Sequence, residues 1–207
     1  MMSCTAVSRW DAEARRYDQE PDHGLYRPEV RAAWRRIIED ALPAPPADVL
    51  DLACGTGSLS VLLALDGYRV TAIDASQAMI DAARRKAAAF GARVTIRRGD
   101  AAQPSVEDGS VDAVLVRYAL WLLPDRAAVV RRWARLLRPH GVLVLVEDRW
   151  WPQAGRGADD LVEVVSDAVP MYEVVRLDSD DLWGGQVDDE RLLVVVRRPV
   201  SILDQLS

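Results

Sequence analysis

The sequence predicts a doubly wound α/β fold: a mostly parallel sheet with an antiparallel C-terminal edge, preceded by an N-terminal helical segment. Three observations carry that expectation. Short apolar runs alternate with stretches of helical periodicity from Val49 onward. Strands this apolar, separated by helices of this length, lie parallel and are covered on both faces. The tail breaks the rhythm, with two strand-like runs joined by an acidic, glycine-bearing link.

The elements follow in order. Residues 9–17 and 29–42 look helical, with a polar turn Glu20-Pro21-Asp22-His23-Gly24 between them and Pro43-Ala44-Pro45-Pro46 after them. The first strand is Val49-Leu50-Asp51-Leu52-Ala53. A helix over 58–65 ends at Gly67. Arg69 to Ile73 is the second strand. Ser76 is placed to cap a helix reaching Phe90, with apolar spacing at Ala78, Met79, Ala82, Ala83 and Ala87, and Gly91 stops it. Arg93 to Arg97 alternates as a third strand, and 111–116 is a fourth. A helix over 125–137 leads into a turn at Pro139-His140-Gly141, then a fifth strand over 142–146. Residues 152–170 hold a loop and a helix. The runs 171–177 and 191–196 pair in hairpin fashion at one sheet edge. Two units are expected: a helical lid segment over 1–44 and a ligand-binding core over 45–207.

Composition narrows the function. A chain of 207 residues, 50% apolar, suits one domain with a real core. No apolar run approaches the roughly 20 residues of a membrane span. The first twenty residues lack the apolar centre of a secretion signal. Two cysteines, Cys4 and Cys54, make no disulfide framework, which suits a reducing cytoplasm. Cys4, His23 and His140 show no metal-ligand spacing. The net charge of −6 offers no basic footprint for nucleic acid. The clusters Arg35-Arg36, Arg84-Arg85-Lys86 and Arg131-Arg132 fall on helices and read as solvated faces.

The strongest chemical signal is Asp51-Leu52-Ala53-Cys54-Gly55-Thr56-Gly57, at the end of the first strand and opening a helix. Small residues let the backbone approach a ligand, and the amides of the helix N-terminus face the same crevice. Asp74, at the end of the second strand, is placed to accept both hydroxyls of an adenosine ribose. A dinucleotide fingerprint would need a third glycine, and Ser60 stands there. The leading Asp51 would also repel a pyrophosphate. A ligand without phosphates and with positive charge fits better.

Residues 49–57, Asp74, Gly99-Asp100-Ala101 and Leu137-Arg138-Pro139-His140-Gly141 together resemble the class I SAM-dependent methyltransferases, over about residues 45–150. Ala53 departs from the family's first glycine, and His140 stands where glycine is common; we read His140 as a turn residue. The resemblance implies a Rossmann-like fold and S-adenosylmethionine (SAM) as cofactor, with S-adenosylhomocysteine as product. It implies that Ala53, Gly55 and Gly57 pass under the methionine part, that Asp51 anchors its amino group, and that Asp74 holds the ribose. Asp100 and the Ala101 amide would meet the adenine, flanked by Ala75 and Met79. Tyr17 would close over the cofactor, and Arg117 would face it.

The acceptor side follows the same resemblance. It falls after the fourth and fifth strands and against the lid: Arg117, Tyr118 and Trp121, then Trp150 and Trp151, with Trp10, Tyr17 and His23 opposite. The tryptophans would make an aromatic wall for an apolar or cationic acceptor. His23 is a candidate general base, because its ordinary pKa lies near neutrality, and Tyr118 is a second catalytic candidate. The expected activity is methyl transfer to a small-molecule acceptor by in-line displacement, without metal, by a cytoplasmic monomer or homodimer that engages neither nucleic acid nor membrane. The alternatives are a nicotinamide-dependent oxidoreductase and a non-catalytic SAM-fold binding subunit.

Overall fold

The computed structural model describes residues 4–147, 158–187 and 190–198. Among them, seven strands form one sheet: β1 (Asp48–Leu52), β2 (Arg69–Asp74), β3 (Val94–Arg98), β4 (Val111–Arg117), β5 (Leu137–Glu147), β6 (Glu173–Arg176) and β7 (Leu192–Arg197). Their spatial order is β3-β2-β1-β4-β5-β7-β6. The first five pair in parallel, and β7 runs antiparallel to both β5 and β6. The doubly wound sheet with an antiparallel edge is therefore present. The late pair is not a simple addition, because β7 inserts beside β5 and leaves β6 outermost.

The helices are α1 (Cys4–Glu13), α2 (Pro21–Gly24), α3 (Pro28–Ala41), α4 (Ser58–Leu65), α5 (Gln77–Phe90), α6 (Arg126–Leu136) and α7 (Ala158–Ala168). Each sheet face has its own apolar layer. One gathers Trp34, Ile38, Leu62, Leu115 and Val144; the other gathers Leu50, Trp133, Leu136, Leu145 and Leu161. Ser76 caps α5 as expected, its hydroxyl accepting from the Met79 amide at 3.1 Å. From β1 the chain moves outward through β2 and β3, then returns to β4 on the other side of β1. That reversal opens a crevice at the carboxyl ends of β1 and β4, where ligands of such sheets bind.

Three local expectations change. Residues 20–24 are not a turn throughout: Pro21, with its φ preset for a first helical position, starts the short α2. Tyr17 leaves the first helix and opens a 3-10 turn, Tyr17–Gln19. Strand β5 begins at Leu137, where the end of a helix was expected, and runs through the expected turn at Pro139-His140-Gly141. Leu137 already pairs with Val111, and the register shifts between Val111 and Ala113. His140 takes a φ of 65° within this stretch. Pro139-His140-Gly141 is thus a bulged strand entry; turns and bulges use the same residue chemistry.

Helix α3 is structural. Val30, Trp34, Ile38 and Ala41 are buried. The Trp34 indole donates to the Leu182 carbonyl at 2.8 Å and meets Trp183 edge-on, with ring centroids 5.4 Å apart. Trp34→Phe leaves that buried carbonyl without its donor. We expect a stability loss of about 1–3 kcal/mol, seen in a thermal melt as a Tm lower by roughly 2–12 °C. An unchanged Tm would contradict this account of how α3 is held.

Candidate functional site

The crevice is built from strand ends upward. Asp51 is the penultimate residue of β1 and is buried; the Ser60 hydroxyl donates to its Oδ2. Burial pushes its carboxyl up to about 6, with the Ser60 hydrogen bond and the Arg117 charge opposing the rise. Asp74 ends β2. Its Oδ2 accepts from the Gly55 amide at 2.9 Å and its Oδ1 from the Ser76 amide at 2.8 Å. Burial raises its pKa also, and those amide bonds resist the rise. Two strand-end acids thus stand close together out of water, and each carries partners that favour its ionised form.

The loop between them follows from its residues. Gly55 has φ 55° and Gly57 φ 76°, a region that side chains disfavour. A Cβ on Gly57 would lie 2.9 Å from that of Ala83, so the glycine also lets α4 and α5 approach. A Cβ on Gly55 would lie 3.5 Å from the Tyr17 ring, so a side chain there would project into the gap beneath that tyrosine. Ala53 adopts φ 55°, the conformation for which a glycine is usual.

Two adjoining cavities meet at Tyr17, Ala53 and Arg117. The smaller is also lined by His23, Asp51, Cys54, Thr56, Ser58 and Leu59. The larger has Trp10, Asp74, Met79, Ala101 and Leu122 among its walls, together with Gly55, Ala75 and Tyr118. The smaller is polar and holds both charge signs. The larger is a mostly apolar slot, with Asp74 and the shared Arg117 as its charged groups. Burial and the charges of Asp51 and Asp74 push the Cys54 pKa well up, which disfavours its thiolate.

The N-terminal residues roof both cavities. Tyr17 stacks on His23, with centroids 4.2 Å apart and planes 13° apart. His23 Nδ1 lies 3.3 Å from the Tyr17 carbonyl, an acceptor only, so this nitrogen carries the proton and Nε2 keeps its lone pair. Nε2 is 3.7 Å from Asp22 Oδ2, to which the Tyr118 hydroxyl donates at 3.0 Å. Burial lowers the His23 pKa, with Asp22 opposing and Arg117 adding to the shift. Arg117 donates to the Asp22 carbonyl at 2.6 Å and rests 4.8 Å from the Trp34 ring centroid. Tyr118 sits at φ 59°, an uncommon conformation for a residue with a side chain.

Sequence reasoning assembled most of this cleft and missed part of it. Tyr17, Asp51, Ala53, Gly55, Asp74, Ala75, Met79, Ala101, Arg117, Tyr118 and His23 all line it. Trp10, expected on the acceptor side, lines the cavity that holds Asp74. Asp100 accepts from the Ala102 amide at 3.0 Å, shaping the turn that presents Ala101. Trp121 lines neither cavity; its indole donates to the Tyr118 carbonyl. Trp150 and Trp151 lie outside the described residues. Asp18, Asp22, Lys86 and Leu122 were not anticipated. Lys86 is buried, contrary to the solvated face expected for Arg84-Arg85-Lys86. Its signal was present: it lies seven positions after Met79 and three after Ala83, on the buried stripe of α5.

Comparison with known proteins agrees with this geometry. Residues 49–141 match the methyltransferase domain family. Nocamycin O-methyltransferase of Saccharothrix syringae is 38% identical over 115 residues, 54% of this chain and 41% of that protein. Demethylmenaquinone methyltransferase of Mycolicibacterium gilvum is 38% identical over 142 residues, 68% of this chain and 59% of that protein. The chain thus spans about half the length of these relatives. Among solved structures, the cyclase SpnF aligns with a TM-score of 0.68 at 19% identity, covering 82% of this chain and 81% of that one. Geranyl diphosphate methyltransferase aligns at 0.63 and 18%, covering 81% and 77%. These structural likenesses establish the Rossmann-like fold.

The residues of this cleft suit a zwitterionic nucleoside cofactor. An acid and a guanidinium share the smaller cavity, and an acid with an apolar slot forms the larger. If Asp51 meets the cofactor's ammonium, only its ionised form attracts it. Affinity for SAM should hold above pH 7 and weaken below about 6, by about tenfold at pH 5 if only that form binds. Asp51→Asn should bind weakly at every pH and lose the slope. Calorimetry across pH 5 to 8 reads both; an Asn variant with the wild-type slope would contradict the assignment.

Proposed function

We propose that this chain transfers a methyl group from SAM to a small-molecule acceptor. The observation that carries the proposal is the division of the cleft at Tyr17 and Arg117 into a charged pocket and an apolar slot. In this reading Asp51 takes the cofactor's ammonium and Arg117 its carboxylate. Asp74 takes the ribose hydroxyls. Met79, Ala75, Ala101 and Leu122 enclose the adenine, with Asp100 behind the Ala101 turn and Trp10 at the rim. Gly55 and Gly57 let the backbone pass close beneath, and Tyr17 closes above. The cofactor supplies the electrophilic methyl group when bound; the protein's part is to orient the reactants and exclude water.

His23 acts on the acceptor's proton in this reading. Burial keeps its imidazole neutral at pH 7, with Nε2 as the basic nitrogen. Asp22 would steady the imidazolium formed, and Tyr118 holds Asp22. A hydroxyl acceptor would need such a base and a carboxylate would not. The lid assignment is proposed for residues 4–24, since α3 is part of the core. We further propose that no metal takes part; among the described residues no three His, Cys, Asp or Glu side chains cluster to hold one. The net charge of −6, and the lack among the described residues of a helix long and apolar enough to cross a membrane, support a cytoplasmic protein bound to neither nucleic acid nor membrane. Monomer and homodimer are both compatible with the cleft. The names of the relatives support a small-molecule acceptor. The broken glycine fingerprint at Ser60 speaks against nicotinamide chemistry, and His23 beside the cofactor pocket speaks against a purely binding subunit.

Calorimetry with SAM and with S-adenosylhomocysteine should show one site per chain. Asp74→Asn should weaken both by about tenfold or more, since each charge-assisted hydrogen bond contributes ~1.5–3 kcal/mol. No binding of either ligand to folded wild-type protein would sink the proposal. Once an acceptor is found by its +14 Da product, one assay tests the chemistry. EDTA should leave the rate unchanged. For a hydroxyl acceptor, His23→Gln should lower kcat by roughly 10²–10⁴-fold, and the wild-type rate should fall as acidification protonates His23. A rate lost to EDTA and restored by Mg²⁺, or a Gln variant with wild-type kcat and pH profile, would remove the corresponding claim.

A further inference from the structure

Lys86 is a lysine only 7% exposed, on a helix whose neighbouring Arg84 and Arg85 face solvent. A buried ammonium must have its three protons accepted, or it loses its charge. Here Nζ lies 2.9 Å from Asp18 Oδ2 and 3.0 Å from its Oδ1, 3.0 Å from Thr56 Oγ1 and 2.5 Å from Ser58 Oγ. Thr56 donates in turn to Asp18, and Ser58 donates to the Gly24 carbonyl at 3.3 Å. The Tyr26 hydroxyl donates to Asp18 Oδ2 at 3.1 Å, and the Tyr26 ring centroid is 5.5 Å from Nζ.

One ammonium therefore joins three parts of the chain: α5, the glycine loop with the first residue of α4, and the N-terminal residues 18–26. Asp18 directly follows Tyr17, whose ring covers Gly55 and stacks on His23. A second tie lies further back, where Asp11 accepts from the Ser76 hydroxyl at 2.5 Å and the Ala78 amide at 3.2 Å. That one rests at the start of α5 on an exposed aspartate, whose neighbour Trp10 meets the Tyr17 ring edge-on at 6.1 Å; it holds the first helix rather than the 18–26 segment. Burial lowers the Lys86 pKa, and the Asp18 carboxylate opposes the shift.

We propose that Lys86 is the positioning residue of the cofactor site: it fastens Asp18 to the glycine loop and thereby sets Tyr17 and His23 as the roof of the cleft. Lys86 touches neither cavity and is not a catalytic residue; it acts through Asp18 and Thr56. Its effect on cofactor binding rests on the methyltransferase reading. The fastening itself does not, because it is present in the protein alone.

The test compares wild type, Lys86→Met and Asp18→Asn by amide hydrogen exchange without ligand, and by calorimetry with S-adenosylhomocysteine. Methionine fills the lysine's volume, and Asp18→Asn reaches the same link from its solvent side should the Met variant fail to fold. We expect exchange over residues 14–25 to quicken by about tenfold or more in both variants, while the core strands keep their protection. Ligand affinity should fall by about tenfold or more. Unchanged exchange over 14–25 in the folded variants would overturn the fastening. Faster exchange with unchanged affinity would overturn the positioning role. Uniformly faster exchange across the sheet would show a structural lysine only, and also overturns it. If wild type bound no ligand while exchange over 14–25 still quickened in the variants, the methyltransferase reading would fail and the fastening would stand.

Discussion

Two carboxylates held out of water at the ends of adjacent parallel strands are the constraint on which the site depends. A buried charge is stable only where hydrogen bonds or opposite charges replace its hydration. Asp74 meets that demand with the amides of Gly55 and Ser76, which fixes the glycine loop on one side and the start of α5 on the other. Asp51 is less fully served. Ser60 donates to it and Arg117 attracts it, yet its pKa stands near 6. An acid so placed favours an incoming cation, and a sulfonium amino acid brings its ammonium there in the reading proposed. In that reading, the electrostatic cost of folding these acids into the crevice becomes selectivity for the ligand.

The same reasoning explains why the N-terminal segment belongs to the site. The sheet and its helices leave the crevice open above the glycine loop. Residues 17–26 cross it and bring Asp18 to Lys86, Asp22 to Tyr118 and the Asp22 carbonyl to Arg117. Arg117 is itself shelved on Trp34, so the core helix α3 indirectly sets where the guanidinium points. Binding groups thus come from strand ends and a roof, while their rigidity comes from the apolar layers beneath. The cyclase among the structural neighbours shows that this fold alone does not name a reaction; the charged pocket and apolar slot carry the functional reading.

Much of the cleft floor was legible in the sequence because it uses local chemistry. Gly55 and Gly57 mark a loop that needs left-handed φ, Asp74 ends a strand run, and Ser76 is a helix cap readable from three residues. The roof was harder. Asp18 and Asp22 lie in a 3-10 turn and a four-residue helix, both too short to show a period. Lys86 was hidden by its neighbours Arg84 and Arg85, although its helical spacing from Met79 and Ala83 put it on the buried stripe. The entry to β5 was misread because proline, histidine and glycine suit a bulge as well as a turn. Trp121 looked like part of an aromatic wall, and only tertiary placement showed that its indole turns to the Tyr118 carbonyl.

The account's central claim is that one cleft, at the carboxyl ends of β1, β2 and β4 beneath Tyr17, receives SAM in a single orientation. A crystal structure of the chain with S-adenosylhomocysteine tests it most directly. The account predicts the ribose hydroxyls on Asp74, the adenine among Met79, Ala101 and Leu122, and the amino-acid tail between Asp51 and Arg117. A ligand bound elsewhere, or lying in this cleft with its tail on Asp74 and its adenine beside Asp51, would contradict it.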